Sequence, residues 1–143
     1  MLVDKFALVM MQKILVEEPV PMTLGGPTLK DHNCGDHRER LLAINDAMDV
    51  LSGKWKIQLI GLLLFQSKMR FMELLRHLDG IGAKMLSKEL QNLEANQIIT
   101  RTVLQTKPVT VEYEITPYGK SLEEVIISIC HWGINHRKKI MNE

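Results

Sequence analysis

Four polar side chains recur at helical spacing between residues 83 and 96. Lys84, Ser87, Lys88 and Gln91 stand at intervals that place all four on one face of a helix. Their ammonium, hydroxyl and amide groups are suited to bonding phosphate oxygens and the base edges in the major groove of DNA. The spacing therefore predicts a surface that donates hydrogen bonds to nucleic acid. An ordinary solvated helix face is the alternative that the spacing alone leaves open.

The apolar residues of the same segment indicate how that helix would be held. Leu86, Leu90 and Leu93 share the opposite face at i, i+4 and i+7, which predicts a buried seam. Residues 71–78 predict a short amphipathic helix, and the glycine-containing turn 79–82 joins the two helices. Helix, tight turn and helix is the order of a helix-turn-helix unit.

Two β-rich runs follow, at residues 98–106 and 109–116. The second run alternates apolar and polar residues, which predicts a half-buried strand. The two runs predict a hairpin with its tip at residues 105–108. Lys107 at that tip would lie along a minor groove or the DNA backbone, or else be one solvated lysine of a loop.

The remaining segments divide the chain into two parts. Residues 1–35 predict an N-terminal extension, with an amphipathic helix at 2–16 and a linker rich in glycine and proline. Residues 36–143 predict the folded domain, which includes helices at 36–51 and 54–66. The second of these is apolar nearly all round and is expected to form the middle of the core.

The last helix is predicted to begin at Pro117, with Thr116 as its N-cap. Its apolar surface is too broad for a single stripe. Part of it is expected to pack on its own domain and part on a second subunit. Two-fold dimers are the commonest oligomers.

Composition sets the broad class of protein. The chain has 143 residues, 45% of them hydrophobic and 24% charged, which fits a domain large enough for a real core. No apolar run reaches the ~18 residues of a membrane span, and no secretory signal is recognisable. We therefore expect a cytoplasmic protein without a membrane partner.

The charge is unevenly distributed along the chain. The net charge is +1, but residues 54–107 hold nine basic and four acidic side chains, a local excess of +5. This excess coincides with the segments expected to face phosphates. Lysine and arginine that merely solvate helix surfaces would give the same excess.

Other chemistry is weakly indicated. His32, Cys34 and His37 could contribute to a zinc site, but a structural site needs four ligands and usually a different spacing. Two cysteines do not make a disulfide framework, and Cys130 falls on an apolar helix side, as a buried small hydrophobe does. No nucleophile elbow, phosphate loop or dinucleotide fingerprint is present. We therefore expect no catalytic residues, no cofactor and no metal.

Five motifs together resemble the HxlR-type family of bacterial transcriptional regulators, relatives of the MarR group. The resemblance covers residues 42–133, and its motifs, in the order and spacing of that family, are AMDVLSGKW at 47–55, MRFMEL at 69–74, GIGAKMLS at 80–87, VEYEITPYG at 111–119 and ICHWG at 129–133.

The resemblance implies a mainly helical α+β fold, a winged helix-turn-helix with a two-stranded β wing and dimerisation helices at both ends. It further implies a homodimer that binds double-stranded operator DNA, with the helix 83–96 in the major groove and the wing 98–116 on the flanking backbone. Together with the charge pattern, this gives a set of expected DNA-binding residues: Lys54, Lys68, Arg70, Lys84, Ser87, Lys88, Gln91, Arg101 and Lys107. The apolar positions of the first and last helices give the expected dimer contacts: Leu41, Ile44, Leu122, Ile126, Ile129 and Trp132.

The chain departs from the family pattern at two positions. Several members sense oxidants through a cysteine shortly before the Gly-Lys-Trp motif, and that position here is Leu42, with Cys34 eight residues upstream. Redox sensing by the usual cysteine is therefore not expected. Gly82 replaces the usual polar cap of the helix 83–96, a loss of a few tenths of a kcal/mol.

Three alternatives stay open. A winged helix can serve only as a protein-interaction module, and an enzyme would need a pocket with convergent titratable groups. The nine methionines are compatible with an adaptable pocket for an unidentified small-molecule effector, or with simple filling of a core.

Overall fold

A computed structural model describes residues 36–141. The predicted helix 2–16, the linker and the pair His32 and Cys34 lie outside the described residues. The elements in chain order are α1 His37–Leu51, α2 Lys56–Gln66, β1 Lys68–Arg70, α3 Phe71–His77, α4 Ala83–Ala95, β2 Ile99–Leu104, β3 Thr110–Ile115, α5 Pro117–Lys120 and α6 Glu123–Met141. This is the winged helix-turn-helix expected from the sequence.

The core is built around α2, whose apolar sequence leaves it no polar face. Leu59, Ile60 and Leu63 are fully enclosed, as a helix surrounded by other elements requires. The seam of α4 closes the core from another side: Leu86, Leu90 and Leu93 are at most 1% exposed. The predicted division of α4 into a buried and an outward face is confirmed.

The sheet has three strands, in the order β1-β3-β2, and all pairs are antiparallel. The predicted two-stranded wing, β2 and β3, is therefore correct but incomplete, because β1 adds a third strand along the other edge of β3. β1 contains only three residues, too few to produce a recognisable alternation in the sequence.

The end of α4 is locked onto the start of the wing. The N–H of Ile98 donates to the carbonyl of Leu93 at 3.0 Å, and that of Gln97 donates to the carbonyl of Glu94 at 2.9 Å. These two bonds form a Schellman motif, which requires a left-handed residue at the position of Gln97. Its φ is indeed +60°, a conformation that a side chain other than glycine adopts at some cost.

The single C-terminal helix predicted from Pro117 is wrong, since two helices follow the wing. Thr116 caps α5 as expected, accepting from the N–H of Gly119 at 2.8 Å, and its hydroxyl also donates to the carbonyl of Gln97 at 2.7 Å. Gly119 lies against the Ile98 carbonyl and the Ile115 side chain. This close approach fixes α5 against the base of the hairpin, and the chain turns before α6 begins.

Helix α6 has two apolar sides, as its broad apolar surface predicts. Ile126 is buried, and Leu122 and Cys130 pack against the core. Ile129 and Trp132 are 41% and 64% exposed. No helix among residues 36–141 is both long and apolar enough to span a bilayer.

Candidate nucleic-acid interface

The outward face of α4 presents the polar residues predicted from the sequence. Lys84, Lys88 and Gln91 are exposed and Ser87 is half-buried. No side chain caps the first turn of α4, whose N-cap is Gly82. The first-turn N–H groups and the positive end of the helix dipole are therefore available to an anion.

The wing and α4 enclose a cleft of about 400 Å³. Ser87, Gln91 and Glu94 form its helix side, Arg101, Val111 and Tyr113 form its wing side, and Phe71 completes the lining. Arg101 stands opposite Tyr113 in the ladder of β2 and β3, so both side chains lie on the sheet face that looks towards α4. The structure thus brings together three of the predicted residues: Ser87, Gln91 and Arg101.

Lys54 lies close to the turn between α3 and α4. Its Nζ sits 4.6 Å from the centroid of the Trp55 ring, a cation–π distance. A Cβ added at Gly80 would lie 3.9 Å from the Cη2 atom of that ring. Trp55, half-buried and packed against the core, therefore holds Lys54 beside the turn that leads into α4.

Lys68 and Arg70 belong to a different face of the sheet. They pair in register with Glu114 and Glu112, and these alternate with Tyr113 and so point away from the cleft. Lys68 Nζ lies 3.3 Å from Glu114 Oε2 and 3.9 Å from Glu112 Oε1. On this outer face Lys68 therefore lies within ion-pair distance of two carboxylates.

The hairpin tip is exposed, and Lys107 lies in it between β2 and β3. It is absent from the cleft lining. The tip therefore lies apart from the cleft, further along the wing than Arg101.

The six expected dimer contacts fall into two groups. Leu41, Ile44, Ile129 and Trp132 are between 41% and 64% exposed, which leaves large apolar surfaces unpartnered in the single chain. Leu122 and Ile126 instead pack within their own domain, because they occupy the other side of α6. Met48 of α1 and Val125 of α6 extend the exposed group.

Cys130 is half-buried on α6, and burial raises the pKa of its thiol. A raised pKa leaves less thiolate at neutral pH, so oxidation and alkylation are disfavoured. Among residues 36–141 no group of three or more His, Cys, Asp or Glu is placed to hold a metal ion.

The sequence did not predict that Phe71, Glu94 and Tyr113 line the cleft. Phe71 and Tyr113 were expected only as apolar residues of their elements. Glu94 follows Gln91 by three residues and so continues the outward stripe of α4. That spacing could have identified Glu94, but the predicted surface was defined by hydrogen-bond donors, and a carboxylate is an acceptor.

Comparison with known proteins agrees with this geometry. The model of the family described as HxlR-like helix-turn-helix matches residues 50–141. A relative named as an uncharacterised HTH-type transcriptional regulator, YtcD of Bacillus subtilis, is 36% identical over 102 residues. That match spans 71% of this chain and 80% of YtcD.

Solved structures give the same result. The reduced form of the redox regulator HypR superimposes with a TM-score of 0.65 at 33% identity, over 71% of this chain and 99% of HypR. A transcriptional regulator of the MarR family from Enterococcus faecalis V583 matches with a TM-score of 0.63 at 34% identity, over 79% of this chain and 99% of its own. These similar proteins are named as regulators, and none of the three is named as an enzyme.

Proposed function

Because the chain belongs to the HxlR-like helix-turn-helix family of transcriptional regulators, we propose that it binds operator DNA as a homodimer. In this proposal α4 enters the major groove and the wing lies on the flanking backbone. The regulator works in the cytoplasm, where its DNA is, and its operator decides whether it represses or activates a gene.

The observation that supports the proposal best is the arrangement of α4. Its leucine seam is buried to within 1%, which holds the helix rigidly, while Lys84, Lys88 and Gln91 remain exposed. A rigid helix with donors on its free face is what reading a groove requires. Arg101 lies across the cleft from this face, so helix and wing can contact one duplex together.

The roles of the side chains follow from their chemistry. Lys54, Lys84, Lys88, Arg101 and Lys107 contact phosphates, which contributes most of the affinity and little sequence information. Ser87 and Gln91 are the residues that read base edges. Arg70 and Lys68 contribute less, because Glu112 and Glu114 share their face.

The homodimer is supported by the apolar surfaces that the single chain leaves exposed. Leu41, Ile44 and Met48 recur on α1 at i, i+3 and i+7, and each is at least 50% exposed. Ile129 and Trp132 of α6 are also exposed, and exposed apolar side chains in such numbers are typical of protein–protein contact surfaces. A two-fold dimer through these helices would set two α4 helices ~34 Å apart, one turn of DNA.

A gel-shift titration tests the proposal, with DNA from upstream of the chain's own gene at two salt concentrations. Lys84→Ala and Lys88→Ala are each expected to weaken binding and to reduce the slope of log K against log salt by about 1.8, because a homodimer loses two phosphate contacts. Lys120→Ala removes the same charge from α5, outside the proposed surface, and should leave affinity and slope unchanged.

Wild-type affinity and slope in both α4 variants would contradict the placement of α4. Weak binding that salt abolishes for every duplex would indicate a protein-interaction module instead.

A further inference from the structure

The cleft between α4 and the wing contains two opposite charges that are not joined. Glu94 and Arg101 both line it, and both are exposed. Within the described part of the chain, the ion pairs found are those of Lys68, and neither Glu94 nor Arg101 takes part in one. The guanidinium group of Arg101 is therefore free to meet a ligand in the cleft.

The position of Glu94 is electrostatically unfavourable for the helix. It lies in the last turn of α4, where the negative end of the helix dipole disfavours a carboxylate, and that turn holds no basic residue. The Schellman motif uses only its backbone carbonyl. Its side chain thus opposes local helix stability, and no ion pair among residues 36–141 compensates for it.

We infer that the cleft seats one sugar–phosphate strand of the duplex, with Arg101 as its cation and Glu94 as a residue that limits the affinity. This inference rests on the proposed function. When a helix occupies the major groove and the wing lies on the flanking backbone, the strand that separates the two contacts passes between them. In this chain the space between helix and wing is the cleft.

The lining fits a sugar–phosphate strand. Arg101 supplies a planar donor for phosphate oxygens, and Ser87 and Gln91 add neutral donors on the helix side. Val111, Tyr113 and Phe71 supply apolar surface for the sugar.

Glu94 weakens binding of the strand because its carboxylate repels the phosphate directly. The repulsion between two like charges weakens binding, and it is stronger at a protein surface than in bulk water because the effective dielectric constant is lower there. Since phosphates are the same in every sequence, Glu94 lowers the affinity for all duplexes and speeds dissociation.

Two substitutions test these roles on the full-length protein. Glu94→Gln is expected to tighten binding to the upstream DNA about fivefold, mainly through slower dissociation. Arg101→Gln is expected to weaken it at least tenfold and to lower the salt slope by about 1.8, since one phosphate contact is lost in each half-site. The matched control is Glu124→Gln, which removes one negative charge at an exposed position of α6 outside the cleft and should not change affinity.

A neutral DNA backbone identifies the contacted phosphate. Single methylphosphonate replacements are introduced along the strand facing the cleft, and affinity is measured for the wild type and both variants. At one phosphate per half-site the replacement should weaken wild-type binding, leave the Arg101→Gln variant unchanged, and abolish the gain of Glu94→Gln. A merely structural role of either residue would not depend on one phosphate.

The outcomes separate the inference from the function on which it rests. The cleft assignment would be wrong if Glu94→Gln bound DNA with the affinity of the wild type. It would also be wrong if the losses from Arg101→Gln and from each methylphosphonate were additive at every phosphate. DNA binding itself would stand in both cases. Failure of the wild type to bind any duplex would instead overturn the proposed function. Circular dichroism of each variant shows whether the fold is retained.

Discussion

The winged-helix body, α2 through α5, differs from the helices α1 and α6 in where its apolar side chains lie. In the body the leucines of α2 and α4 are enclosed by the same chain. In α1 nine consecutive residues, 41–49, are exposed, including Leu41, Ile44 and Met48. The body thus encloses its own core, whereas the outer helices carry the exposed apolar surfaces on which the proposed dimer depends. Four substitutions test this contrast.

The largest effect is expected in the body. Leu90→Ala removes a side chain that is 1% exposed and should lower the free energy of unfolding by about 3–4 kcal/mol, through lost burial and a cavity. Because Leu90 has only neighbours of its own chain, the loss should not depend on protein concentration. Chemical denaturation at two concentrations measures it, and a loss that disappears at high concentration would break the contrast.

The next effect comes from overpacking. At Gly119 an added Cβ would lie 2.7 Å from Ile115 Cδ1 and closer still to the Ile98 carbonyl oxygen, so Gly119→Ala should lower the free energy of unfolding by about 2–3 kcal/mol. Gly133→Ala is the matched control, because an added Cβ there meets nothing within 4 Å. Thermal melts should show a lowered Tm for Gly119→Ala and no lowering for Gly133→Ala. Equal Tm values for the two variants would contradict the proposed role of Gly119.

Trp132 tests the outer helices. It is 64% exposed and stacks on the His136 ring at a centroid distance of 4.8 Å. Trp132→Ala should weaken self-association by about 2 kcal/mol, roughly 30-fold, as for a central aromatic of an interface. Tyr118, 65% exposed on α5, supplies the control Tyr118→Ala. Sedimentation velocity over a range of concentrations compares them, and equal association of all three proteins would argue against the proposed dimer surface.

The smallest effect is expected at the start of α4. Gly82 has extended backbone angles and space for a side chain, so Gly82→Ser should add an N-cap bond and raise the free energy of unfolding by a few tenths of a kcal/mol. Gly82→Ala is the control, because it adds a Cβ without an acceptor and should not stabilise. Denaturant midpoints distinguish the two variants. The same midpoint for both would show that an N-cap bond at this position does not raise the free energy of unfolding.

The contrast also indicates what the sequence could predict. The helix-turn-helix, the hairpin and the leucine seam of α4 were foreseen because each leaves a periodic pattern in neighbouring residues. The sequence left residues 67–70 open as a connector or a short strand, because the strand character of β1 depends on pairing with β3, more than forty residues later in the chain. The position of α5 depends on the close approach of Gly119 to Ile98, which no local pattern reports.

The candidate site was predicted only in part, for the same reason. The residue types on α4 were identified from its spacing, and the structure places them outward. The strand register determines which side of the sheet each basic residue faces. It places Arg101 in the cleft with Ser87 and Gln91, and it places Lys68 beside Glu114. Register across a sheet is tertiary information, so a count of basic residues grouped Arg101 and Lys68 together.

The hydroxyl of Thr116 ties three neighbouring elements together at one point. It bonds to the carbonyl of Gln97 just beyond α4 and receives the N–H of Gly119 in α5, at the foot of β3. Displacement of α6, which follows α5 directly, would therefore pull on the end of α4 over a few bonds. This hydroxyl and the Thr116 N–H, which donates to the carbonyl of Ile98 at 3.0 Å, therefore form a short mechanical link between α6 and the end of α4.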